Sequence, residues 1–170
     1  MHYTTKLFAR VDLNAYFEKR RKQAERRVSC KRIRPDTDKE EWVKEYMAEF
    51  VLEPIVMDIE NRKLEYKTRA SNPELLYVLI KVPYTASKGL ADLTPPTFKR
   101  EDLPLGVWGN NYITLHFQAD ILDSNDVHRA KYDKTVNTLI GCVEAVNKEV
   151  VSYNEWLQEV IMPRLHERFE

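Results

Sequence analysis

Asp58 and the run Glu65-Tyr66-Lys67 come nearest, by residue type and spacing, to a catalytic centre in this chain. An Asp followed by E-x-K on neighbouring strands is a layout in which carboxylates hold Mg²⁺ and the Lys steadies the attacking water or the phosphate. A turn at Asn61-Arg62 would pair Asp58 with Glu65 on one face. The same register also explains both residues as the solvated face of an amphipathic hairpin, with cross-strand charge pairs such as Glu60 with Lys63. E-x-K recurs by chance, and the interval from Asp58 is short for a nuclease core, so the hairpin reading is preferred.

Other reactive patterns are weaker. Asp120, Asp123 and Asp126 are three apart, but no Gly follows and Lys134 stands where an EF-hand needs its bidentate Glu. They fit a strand end and a helix start. His166-Glu167 opens like a zinc-protease helix, yet the position four after His166 is Glu170, not His. No Ser or Cys sits in a nucleophile elbow, and no Gly-rich loop has phosphate-cradle spacing. The expectation is therefore no enzyme, no catalytic residue, no metal and no cofactor.

Charge is the stronger signal. The chain holds 27 basic and 27 acidic residues, yet nine of the basic ones lie between Lys19 and Arg34 with Glu25 the only acid among them. Such a run is either a solvated helix face paired with nearby acids or a phosphate contact. The candidate nucleic-acid-binding residues are Arg20, Arg21, Arg26, Arg27, Lys31, Arg32 and Arg34. Few aromatics are interleaved, which argues against base stacking.

The elements that must carry these residues follow from periodicity. Asp12 is placed to cap a helix to about Val28, with Leu13, Phe17, Ala24 and Val28 on one face. A second helix follows Pro35, capped by Asp36 or Thr37, with Trp42, Tyr46 and Phe50 inward and Pro54 as its stop. From Ile55 the period becomes two: a hairpin of Ile55, Met57 and Ile59 against Leu64, Tyr66 and Thr68. Leu75 to Val82 reads as a central strand, and Ile113, Leu115, Phe117 and Ala119 as a fourth. Between these last two lies a long segment with apolar anchors Phe98, Leu103, Leu105, Val107 and Trp108, expected to be ordered.

Ser124 or Asn125 then caps the most regular element. Tyr132, Val136, Leu139, Val143, Val146, Val150, Tyr153, Leu157 and Val160 follow alternating steps of four and three, an a/d seam. Pro163 is expected to end or kink this helix. A helix over 125–169 is too long for a compact domain to cover throughout, so the seam must find either the basic N-terminal helix or a second copy. Val136, Leu139, Val143, Val146, Val150, Tyr153, Leu157 and Val160 are the expected oligomer interface.

With 43% apolar, 32% charged and 11% aromatic residues, the chain is neither a disordered tail nor a membrane protein. Two cysteines without CxxC spacing and no apolar signal core in MHYTTKLFARVD point to a reducing cytoplasm. The expected fold is one α+β domain over 1–170: an antiparallel sheet of about four strands, two N-terminal helices and one long C-terminal amphipathic helix.

Longer stretches carry a resemblance. VLIKVPYTASKGLADLTPPTF, then LPLGVWGNNYITLHF, then Tyr153-Asn154-Glu155-Trp156-Leu157 on the long helix resemble a pattern of bacterial proteins. Upstream, Glu45-Tyr46 through Leu52-Glu53-Pro54-Ile55 resembles the helix end of the same pattern. The family is one of uncharacterised bacterial proteins whose longer members carry this segment N-terminal to a restriction-endonuclease-like domain. Tyr84-Thr85-Ala86-Ser87 replaces the F-x-G-D of that pattern, and the sequence stops at Glu170, where longer members continue. The resemblance implies a separate or truncated N-terminal domain in a defence setting, with the nuclease residues beyond this segment. The resulting expectation is a non-catalytic regulatory or assembly module, a homo-oligomer or the holder of a partner helix, with nucleic-acid binding through helix 19–34 as the alternative.

Overall fold

The computed structural model describes residues 5–30, 38–69 and 71–169. The architecture is α+β, a mostly antiparallel sheet with a long C-terminal helix and two shorter N-terminal ones packed with it. In chain order the elements are β1 (Val11–Asp12), α1 (Leu13–Cys30), α2 (Lys39–Phe50), β2 (Val56–Met57), β3 (Lys63–Arg69), β4 (Asn72–Thr85), β5 (Leu93–Thr94), β6 (Gly106–Trp108), β7 (Tyr112–Asp120), α3 (Asn125–Trp156) and α4 (Met162–Glu167). The main sheet has five strands rather than four, in the order β2-β4-β7-β6, with β3 also on β4.

Asp12 caps α1 by accepting from Ala15 N at 2.8 Å. The cap of α2 is Asp38, whose carboxylate accepts from Glu40 N and Glu41 N; Asp36 and Thr37 lie outside the described residues. Ser124 caps α3.

The expected hairpin between β2 and β3 does not form. Both strands pair with β4, β2 at Tyr84 and Thr85 and β3 farther along the same edge up to Lys81. At fourteen residues, β4 is long enough to take two short partners end to end on one side while β7 fills the other. Period-two alternation sets which face a side chain occupies, but it is silent about which strand lies alongside.

The long segment between β4 and β7 is ordered, as its apolar anchors require. It contributes β5, paired in parallel with β1, and β6, paired with β7. The N-terminal residues strap it down: Leu7 N donates to Pro104 O, and Lys6 Nζ donates to the carbonyls of Glu101 and Leu103. Phe98 rests on Gly141 of α3, where an added Cβ would lie 2.9 Å from the ring's Cζ. Gly141→Ala alone should therefore show little of the roughly 1 kcal/mol that Ala gains over Gly inside a helix. In a Phe98→Ala background the full gain should return, as read from thermal melts of the two singles and the double.

The C-terminal helix does not stop at Pro163. A π-helical turn, Leu157–Ile161, leads straight into α4, with Met162 N donating to Leu157 O five residues back. The wide turn seats Pro163 near the start of a fresh α-helical segment, where its missing N–H is harmless. It also inserts one residue into the seam. After Leu157 the buried positions are Ile161 and Leu165, and Val160 rotates out to partial exposure.

Candidate nucleic-acid interface

α1 is built on a narrow apolar stripe. Leu13, Phe17, Ala24 and Val28 are buried, and the basic residues take the remaining circumference. Those basic residues do not form one surface. Arg20 is half-buried and reaches across to α2, where Nη2 donates to Glu49 O at 2.9 Å and Phe50 O at 3.3 Å. It thereby caps the C-terminal carbonyls of α2 with a cation, where the helix dipole favours one. The same guanidinium lies 5.8 Å from the Phe50 ring centroid. Arg21 sits over Trp156 at 5.9 Å, tying α1 to the C-terminal end of α3. Arg27 Nε pairs with Glu49 Oε2 at 3.6 Å across a mostly exposed gap.

Arg26 differs from these. It is exposed and makes no ion pair among the described residues. With Lys19 and Lys22 it forms a line on α1 at spacings of three and four, which one helix face presents together. Lys22 is held at 2.6 Å by Glu18, an exposed i,i+4 pair worth little to stability.

Two open clefts flank this line. One, about 450 Å³, is lined by Arg20, Gln23, Arg26, Arg27, Cys30 and the α2 residues Glu49 and Phe50. The other, about 390 Å³, is lined by Ala15, Glu18, Lys19, Lys22, Gln23 and Arg26. Gln23 and Arg26 form the wall between them. Of the seven candidate residues, the structure thus leaves Arg26, and Arg27 in part, facing solvent for a ligand. Arg20 and Arg21 serve packing. Lys31, Arg32 and Arg34 lie outside the described residues.

The expected oligomer interface is corrected. Val136, Leu139, Val143, Val146, Val150, Tyr153 and Leu157 are buried within the chain, in one core with Phe17 of α1 and with Ile80, Val82, Ile113 and Leu115 of the sheet. Val160, as described, has left the seam. Freeing seven such side chains for a second copy would cost roughly 1.5–3 kcal/mol each, together as large as the whole net stability of an ordinary domain. Of the two partners left open for the seam, the chain uses its own basic helix: the Phe17 and Tyr153 rings lie 5.6 Å apart. Burial pushes the Tyr153 phenol up to about 12, with Arg20 acting the other way.

The acid cluster is also taken apart. Asp58 follows β2, where its carboxylate accepts from Asn61 N and Asn61 Nδ2 in a turn, and its N–H donates to Pro83 O. Glu65 stands beside Leu79 on β4, four positions from Pro83, or about 13 Å along the strand. Its carboxyl lies below the usual range because Lys81 donates to it at 2.5 Å, with burial opposing and Lys67 adding to the shift. Asp123 likewise accepts from Lys131 and from Asp120 N, a helix-start role. Among the described residues no three His, Cys, Asp or Glu side chains gather to hold a metal. No described helix is long and apolar enough to cross a membrane.

Sequence reasoning missed two functional side chains of the scaffold. Asn147 and Asn154, seven apart on α3, each grip one residue of the linker after α2. Asn147 accepts from Ile55 N and donates to Ile55 O, both at 2.8 Å. Asn154 accepts from Leu52 N at 3.1 Å and donates to Leu52 O at 2.8 Å. The available signal was two carboxamides one heptad apart beside an apolar seam. Comparisons of the chain with family models, with curated proteins and with solved structures find no match.

Proposed function

We propose that the chain is a non-catalytic module of the kind its resemblance to nuclease-linked bacterial proteins implies, and that it holds nucleic acid by its phosphates along α1. The observation that carries this reading is the exposed line of Lys19, Lys22 and Arg26 between two open clefts, with Arg26 unpaired among the described residues. About 10 Å of helix separates Lys19 from Arg26, and three extended cationic side chains along that length can each meet a phosphate. Among the described residues no exposed aromatic lines either cleft for base stacking, so the contact is electrostatic and insensitive to sequence.

A salt titration of duplex DNA binding by fluorescence anisotropy tests this. Three phosphate contacts give a slope of log K against log salt of about −2.7, roughly a fortyfold loss between 50 and 200 mM. Each additional contact from Lys31, Arg32 or Arg34 steepens the slope by about 0.9. Lys19→Ala, Lys22→Ala and Arg26→Ala should each flatten it by a similar step. Absence of binding at 50 mM salt, or a slope that ignores all three substitutions, would sink the proposal.

A further inference from the structure

We infer that β3 is a dimerisation edge, and that its occupant is β3 of a second copy, antiparallel, with Tyr66 on the two-fold axis. Among the described residues β3 pairs with β4 alone, so its outer side presents unpaired backbone donors and acceptors. The opposite margin of the sheet is closed by the chain itself, where Gly106 N donates to Thr5 O and Lys6 bridges Leu105. β3 is seven residues long and contains no proline. Leu64 and Tyr66 stand opposite Ile80 and Val78, on the face that α3 covers over β7, yet they are 42% and 62% exposed.

The charges select both the occupant and the register. In a two-fold antiparallel pair, facing side chains share a face, so the axis passes through a residue. Centring on Glu65 sets Glu65 against its own copy and Lys63 against Lys67; centring on Lys67 sets Lys67 against itself and engages only the last part of the strand. Both are repulsive. Centring on Leu64 matches Lys63 with Glu65 but engages only three residues of β3. Centring on Tyr66 uses the whole strand and places each Glu65 opposite Lys67 of the other copy, twice over. Leu64 then faces Thr68, and the two tyrosines face each other. A strand lacking this pattern meets the two lysines without the matching acid, so the charges that deter other strands admit this one.

This inference is independent of the phosphate reading, since it rests on none of the basic residues of α1 and its test contains no DNA. Sedimentation velocity from about 2 to about 500 µM protein should show a reversible monomer–dimer equilibrium, weak because the contact is small. Glu65→Lys and Lys67→Glu alone should each raise the dissociation constant about tenfold, since two attractive pairs become repulsive, and the double reversal should restore it. A far-ultraviolet circular dichroism spectrum and melt of each single variant, matching the parent protein at low concentration, separate lost dimerisation from lost folding. In a Cys30→Ser background, Tyr66→Cys should cross-link to itself under mild oxidation, because facing Cβ atoms lie about 5 Å apart. Val107→Cys, on the opposite margin, should not. A monomer throughout the range, no restoration by the double reversal, or equal cross-linking through Val107→Cys overturns the inference.

Discussion

Asn154→Ala should lower the unfolding free energy by about 2–4 kcal/mol, although Ala is the better helix former at that position. The carboxamide satisfies both the N–H and the C=O of Leu52, a residue buried against the core. Its removal leaves two shielded backbone groups without partners, each worth roughly 1–3 kcal/mol. Asn147→Ala removes the equivalent pair at Ile55 and should cost a similar amount. The double variant then loses a large part of the net stability of a domain, about 5–15 kcal/mol, and should melt well below either single variant. Asn137, exposed on the same helix, is the control: Asn137→Ala gains propensity and loses no such bond, so it should be neutral or slightly stabilising. Urea melts of the four proteins check the ranking. A clamp variant that melts with Asn137→Ala would show that water replaces the carboxamides at no cost.

Arg20→Ala and Arg26→Ala should separate stability from binding. Arg20 donates to two carbonyls at the end of α2 and lies against Phe50. Hydrogen bonds from a charged donor contribute about 1.5–3 kcal/mol, so Arg20→Ala should lower the melting temperature by roughly 3–12 °C. Because Arg20 is already spent on α2, the folded fraction of that variant should keep nearly the full salt slope for DNA. Arg26→Ala should do the reverse, with an unchanged melt and a flatter slope. Thermal melts and anisotropy titrations on the same preparations decide it. If Arg20→Ala flattens the slope while the melt stays put, Arg20 faces the ligand and its assignment to α2 is wrong. Removing Arg20, Arg21, Arg26 and Arg27 together would confuse the two effects.

Much of the scaffold was legible because it depends on local spacing. The buried face of α1, the inward Trp42, Tyr46 and Phe50 of α2, the caps Asp12 and Ser124, and the seam from Val136 to Leu157 all follow from a 3.6-residue period and a side-chain oxygen in the right place. The order of the long segment followed from its apolar anchors, and Leu103 is indeed buried. Val160 was misplaced because a π-helical turn adds one residue to the repeat, and only the demands of Pro163 and the packing of Ile161 and Leu165 reveal where it falls.

By itself, the amino-acid sequence determined the fold class, the faces of the helices, and the concentration of positive charge at the end of the first one. Those properties arise from neighbours along the chain. Only the tertiary structure decided which strand takes β3, where the seam goes and which arginines remain free. Face alternation and charge type carry no address: β2 and β3 each suit any edge of matching length, and a guanidinium serves a helix end as readily as a phosphate. The address comes from what is already packed nearby. The C-terminal carbonyls of α2 claim Arg20 and the ring of Trp156 claims Arg21, while no carboxylate among the described residues claims Arg26.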